Sequence, residues 1–255
     1  LAAVCTLAVY HRVSEHFPLV VAANRDEFLG RPTEPPRLRS EPPDTVWGRD
    51  LEAGGTWLGA RADGRLLVAG LLNRRPEALA PGSPTGAQSR GLLTTLALGV
   101  QSVDEVRSRM HELDVDAFGP FNLFVADRDH AAVFDNGDGL QETGLERGLT
   151  VLTNLDVSDP RCPRRAAAAE RMGEVQAIVA ESTEVDALVL ALSAALGDHD
   201  AGIEPKPEAP FSRICVHAGE YGTRSSSILA FTADGELCYF HAEGPPCVTP
   251  FERVV

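Results

Sequence analysis

With 255 residues, 44% of them hydrophobic, the chain has material for one large core or two small ones, and a single domain spanning 1–255 is expected. A formal net charge of −14 without any Lys/Arg cluster argues against nucleic acid or an anionic membrane surface as a partner. The longest apolar runs fall far short of the roughly 18–20 residues that span a bilayer, so no transmembrane segment is expected.

Residues 5–13 and 18–23, rich in Val, Ala and Leu, predict a β-hairpin whose second strand ends at Asn24-Arg25-Asp26-Glu27. Five prolines within 31–46 predict an irregular loop. Gly54-Gly55-Thr56-Trp57-Leu58-Gly59 leads into a strand, Asp63-Gly64 reads as a hairpin turn, and 66–72 returns. After a Pro/Gly/Ser loop over 76–88, two helices are predicted. The second, 103–113, opens with Ser102 and Glu105 as a capping box and carries Val103, Val106, Met110 and Leu113 on one face. Strands follow at 121–126, 131–134 and 149–153, then helices at 164–180 and 184–196 and a loop at 203–210. Strands at 214–217, 226–231 and 237–241 close the chain, with a turn at Ala233-Asp234-Gly235. Hairpins and helix pairs segregated into blocks favour stacked layers over an alternating parallel sheet.

Cys5 stands at the start of the first strand. A free thiol has a pKa of about 8.5, and an α-amine, at about 8, is a base within reach of it. That amine exists only if Cys5 is residue one; acylated by Val4, the same nitrogen is an amide. The valine codon GTG can also start translation, so a Met-Cys opening and an active form beginning at Cys5 are expected. Leu1–Val4 lack the charged and apolar stretches of a signal peptide. Without a free terminus, Cys5 reads as a buried strand cysteine.

Five scattered cysteines do not form a disulfide framework, which favours a reducing, cytoplasmic compartment. Cys215, His217, Cys238 and His241 could meet on adjacent strands, but no C-x-x-C pair accompanies them. Ordinary core is expected there, with no metal and no cofactor, and His199 is expected in a solvated loop. Gly137-Asp138-Gly139 reads as a turn, because Glu142 stands where a dinucleotide fingerprint needs its last glycine.

Cys5-Thr6-Leu7, Ala22-Ala23-Asn24-Arg25-Asp26-Glu27-Phe28, Gly48-Arg49-Asp50 and Gly54–Gly59 form a specific combination. It continues at Asn73-Arg74, Ser89-Arg90-Gly91, Thr153-Asn154, Cys215-Val216-His217 and Tyr221–Ser227. Together these segments resemble the transport and Golgi organisation protein 2 family, known for its Asn-Arg-Asp-Glu tetrad. The resemblance implies an α+β, N-terminal-nucleophile hydrolase-like fold: four αββα layers built on two antiparallel sheets. The family is similar to the choloylglycine hydrolase and penicillin V acylase group, which cleaves linear amides with an N-terminal cysteine. Two departures stand out: four residues precede Cys5, and Leu72 replaces the usual Thr before Asn73.

Under that resemblance Cys5 is the nucleophile and its amine the base. Asp26 orients the ammonium, and Arg25 lowers the thiol pKa or binds a substrate carboxylate. Asn73 and Asn154 supply an oxyanion hole, and Arg224 stabilises charge at the nucleophile. Asn24 and Glu27 lie near the substrate as ties, and Trp57 belongs to the pocket wall. The two arginines favour an anionic substrate. The implied function is hydrolysis of a small acyl-amide without metal or organic cofactor. The competing reading is a non-catalytic carrier of haem or an acyl lipid, since some family members are linked to haem trafficking. A homo-oligomer is compatible with either.

Overall fold

The computed structural model describes residues 5–74, 86–155, 157, 162–199 and 213–255. Most of the loop expected at 76–88, and all of that at 203–210, lies outside them.

The first sheet is antiparallel. It contains β1 (Thr6–His11), β2 (Leu19–Phe28), β10 (Gly148–Leu152), β12 (Tyr221–Phe231), β13 (Leu237–Ala242) and β14 (Glu252–Arg253), in the order β10-β1-β2-β12-β13-β14. The short β11 (His217–Ala218) pairs with the start of β12. The second sheet is a meander whose spatial order follows the chain. It runs β3 (Thr33–Ser40), β4 (Pro43–Asp50), β5 (Leu58–Arg61), β6 (Leu67–Asn73), β7 (Phe121–Asp127), β8 (Ala131–Asp135) and β9 (Gln141–Gly144).

Side-chain alternation explains the stacking. On β1, Leu7 and Val9 point into a core shared with Val68, Leu72 and Phe124 of the second sheet. Ala8 and Tyr10 point the other way, onto α3 (Pro163–Glu174), α4 (Gln176–Glu181) and α5 (Val185–Leu196), represented by Met172, Val179 and Leu192. On the second sheet, Leu67, Ala69 and Val125 pack under α1 (Gly91–Leu98) and α2 (Val103–Glu112). Strands covered on both faces read as continuous apolar runs, which is why β1 and β2 stand out in the sequence. The result is the four-layer αββα sandwich. No helix among the described residues is long and apolar enough to cross a membrane.

Several elements differ from expectation. The proline-rich 31–46 segment forms β3 and the start of β4. β3 is an edge strand whose pairing slips between Glu34 and Arg37, so Pro35 and Pro36 sit in the irregularity and interrupt no inner ladder. The Asn-Arg-Asp-Glu tetrad lies at the end of β2 as expected, but the strand continues through it to Phe28, paired with β12, instead of stopping at 23. The helix expected over 164–180 breaks at Val175, whose ψ of −2° ends α3. Of 214–217, only His217 joins a strand, because the Val216 N–H and C=O bond to Thr223 instead. β9 escapes prediction because every residue of Gln-Glu-Thr-Gly is exposed and none supplies an apolar alternation. The Ser102 cap forms as expected, accepting from the Glu105 N–H at 3.2 Å, but Glu105 reaches the Gln101 N–H in return.

Gly55 fixes how the loop before β5 meets α1. Its φ is +68°, and an added Cβ would stand 2.4 Å from the carbonyl carbon of Gly91. Thr56 N–H donates to the Gly91 carbonyl at 3.1 Å across this contact. Gly55→Ala combines a left-handed backbone with a backbone clash and should cost at least about 2 kcal/mol. A urea titration with an unchanged midpoint would contradict this.

Candidate active site

A cavity of about 430 Å³ opens at the end of the sandwich where β2, β6 and β13 terminate. Cys5, Arg25, Glu27, Trp57 and Asn73 all line it. Cys5 is brought there by β1, whose pairing sets Thr6 against Asn24 of β2, and only 9% of it is exposed.

The Cys5 backbone N–H donates to Asn154 Oδ1 at 2.6 Å, and Asn154 Nδ2 donates to the Asn73 carbonyl at 2.5 Å. The buried Asn154 therefore holds the nitrogen that would become the terminal amine. Asn73 ends β6, is half-buried and lines the cavity. Of the expected pair of oxyanion donors, Asn154 thus holds the Cys5 nitrogen, and Asn73 is among the residues that line the cavity.

Burial pushes the Cys5 thiol up to about 12, and the Asp26 charge adds to the rise. The Asp26 backbone N–H and then Arg25 pull it down, and they are outweighed. Arg25 lowers the thiol as expected, but in a chain in which Cys5 carries an amide nitrogen its pull is smaller than the opposing effect of burial. Arg25 is engaged by Asp50 at 3.1 Å, which also holds Arg31 at 2.7 Å. Burial raises the Asp50 carboxyl, but Arg31, the Ala53 N–H and Arg25 together hold it below the usual range.

Asp26 is buried and its carboxylate accepts from Arg164 of α3 and from Thr223 Oγ1 at 2.7 Å. Tyr221 donates to its carbonyl at 3.0 Å. Asp26 therefore ties β2 to α3 and β12, while the Cys5 nitrogen belongs to Asn154. Asn24 does not bind at the cavity: its Nδ2 donates to the Leu196 and Ile214 carbonyls at 3.0 and 2.9 Å, and its Oδ1 accepts from Ser226 at 2.6 Å. It points to the helix side of β2, one residue out of phase with Arg25, and its place as a substrate contact is withdrawn.

Arg224 reaches the cavity indirectly, through an ion pair to Glu243 at 2.6 Å. His241 bridges Glu243 at 3.0 Å and Ser227 at 3.0 Å. The His241 hydrogen bond, with Arg224 beside it, holds the Glu243 carboxyl down at about 2 against the opposing effect of burial. Around the whole cavity Arg25, Arg31, Arg49 and Arg90 face five carboxylates, so the wall is close to neutral. The reason for expecting an anionic substrate falls away.

Sequence reasoning missed Arg164 and the His241–Glu243 pair. Arg164 sits in an ordinary Pro-Arg-Arg helix start, and its partner is 138 positions away. His241 was read only as a core or zinc residue.

A cysteine at the head of an inner strand, in a four-layer αββα sandwich with an asparagine on its nitrogen, defines the N-terminal-nucleophile hydrolase fold. Penicillin V acylase from Agrobacterium tumefaciens superimposes with a TM-score of 0.58 at 14% identity, over 94% of this chain and 83% of that one. The Caenorhabditis elegans ortholog of N-acylethanolamine-hydrolyzing acid amidase gives 0.51 at 15% identity, over 90% and 93%. At such identities the likeness is one of fold. The chain belongs to the Transport and Golgi organisation 2 family, whose family model matches residues 4–243. The Transport and Golgi organization protein 2 homologs of Bos taurus and Homo sapiens are each 27% identical to it, over 88% of this chain and 85% of theirs.

Proposed function

We propose that the chain, once it begins at Cys5, is a cysteine hydrolase that cleaves a linear C–N amide bond of a small acyl-amide. The observation that carries this reading is the Cys5 nitrogen, held at 2.6 Å by Asn154, in a residue that lines the same cavity as Asn73. With that nitrogen free, the Cys5 sulfur attacks the substrate carbonyl carbon and its proton passes to the α-amine. The Asn73 side-chain amide donates to the developing oxyanion. Collapse breaks the C–N bond, the leaving amine takes the proton, and a thioester remains on Cys5. A water deprotonated by the same amine then attacks the thioester, releasing the carboxylic acid and restoring the thiol. Asn154 positions the amine throughout, and no step calls on a metal or organic cofactor.

The test uses a chain released at Cys5 from a cleavable fusion and a panel of N-acyl amides. Acid quenching should trap an acyl adduct on the Cys5 peptide, visible by mass. Absence of any adduct or turnover, together with haem binding unaffected by Cys5→Ala, would favour the carrier reading.

A further inference from the structure

On the opposite side of β2 from the cavity, three segments converge around four ligand-type side chains. Cys215 Sγ lies 3.7 Å from Cys247 Sγ and 3.7 Å from His217 Nε2, and His217 Nε2 lies 3.3 Å from Cys247 Sγ. His199, on the turn that follows α5, stacks its ring 4.9 Å from that of His217. One ligand atom from each of the four falls within 4.8 Å of all the others.

The three spacings among Cys215, His217 and Cys247 are close to the edges of a metal tetrahedron, while His199, within 4.8 Å of the others, stands wider and has to draw in on binding. Zn–S bonds of about 2.3 Å and Zn–N bonds of about 2.0–2.1 Å require about 3.8 Å between sulfurs and about 3.6 Å between sulfur and nitrogen. Two thiolates and two imidazoles in a tetrahedral set select zinc among the common divalent ions.

The backbone brings the ligands together independently of any ion. Cys215 N–H donates to the Asp198 carbonyl at 3.1 Å, next to His199. A Cβ on Gly197 would lie 3.3 Å from the backbone of Cys247, so the end of α5 and the C-terminal segment are in close contact. A Cβ on Gly222 would stand 2.6 Å from the Val216 carbonyl, so the segment carrying Cys215 and His217 is pressed onto β12.

We propose that His199, Cys215, His217 and Cys247 form a structural Zn²⁺ site that clips the end of α5, the 215–217 segment and the C-terminal segment together. The set differs from the one weighed in the sequence: Cys238 packs with the helix-side core and His241 belongs to the cavity network, while His199 and Cys247 take their places. His199 is half-buried rather than in a solvated loop. The site stands apart from the hydrolase reading, because its ligands do not line the cavity.

The whole chain, purified under reducing conditions, should carry about one zinc per molecule. After chelation, Co²⁺ should restore an intense thiolate-to-cobalt charge-transfer band with the ligand-field bands of a tetrahedral ion. Chelation should lower the melting temperature, and added Zn²⁺ should restore it. Loss of an outer-shell partner alone costs about 10–100-fold in metal affinity, so Cys247→Ser should lose at least about 100-fold. His217→Ala, at an exposed position, provides a second variant whose folding circular dichroism can verify. Wild-type protein with far less than one zinc and no cobalt–thiolate band overturns the proposal. So does a folded Cys247→Ser chain that binds zinc as tightly as wild type.

Discussion

In a chain that begins at Cys5, Cys5→Ala is expected to remove all measurable amide turnover, and one residue retained ahead of Cys5 to come close to the same result. The two changes act on different parts of the chemistry. Alanine removes the nucleophile. A retained residue leaves the sulfur in place but converts its base into an amide and keeps the thiol at about 12. At pH 7 a thiol held that high is almost wholly protonated, so attack depends on a base to take its proton. Loss of the general base costs roughly 10²–10⁴. The retained-residue form should therefore fall by about 10²–10⁴ in kcat/KM while still binding substrate. Comparing the three proteins on one substrate, with binding measured separately, decides the matter. Turnover by Cys5→Ala at more than a trace would eliminate Cys5 as nucleophile.

Arg164→Met should destabilise the fold by about 3–5 kcal/mol, the cost of leaving one member of a buried ion pair uncompensated. Arg164 and Asp26 are each 1% exposed. Burial raises the Asp26 carboxyl, and Arg164 and Thr223 are the groups that draw it back. Without Arg164 the folded-state pKa climbs further above its unfolded value, so the folded variant binds a proton that the unfolded chain has already lost. The sign follows: the penalty is largest above the raised folded-state pKa, shrinks as pH falls through it, and is smallest below about 4, where both states are protonated. Adding Asp26→Asn to Arg164→Met should recover part of the loss at pH 7 and flatten the pH dependence. Denaturant melts at several pH values would show this; a penalty independent of pH would mean that Asp26 is not the group left stranded.

How much of this was legible depended on whether a residue's partner was near in sequence or implied by alternation. β1 and β2 were legible because both of their faces are apolar. The tetrad was located correctly as a motif, but Asn24 and Arg25 point to opposite faces of β2, and only the strand's continuation into the tetrad reveals which one meets the cavity. Arg164 could not be found, since an arginine in the first turn of a helix normally faces solvent. The metal-type cluster was half found. Cys215 and His217 stand out in the sequence, but Cys238 and His241, on β13, pair at other places along β12. His217 pairs with Gly222 and Cys238 with Ala230, eight residues or about 26 Å of strand apart. Register, which single-sequence patterns do not encode, separated them.

The prolines of β3 have a bearing on the chain's behaviour at high concentration. A free sheet edge is a template on which another molecule's strand can hydrogen-bond, and such pairing propagates into aggregates. At this edge Pro35 and Pro36 have no N–H to offer, the pairing slips between Glu34 and Arg37, and those two residues add charge. A second molecule approaching there meets missing donors and charged side chains. At its β3 edge the meander is thus discouraged from growing a further strand out of a neighbour.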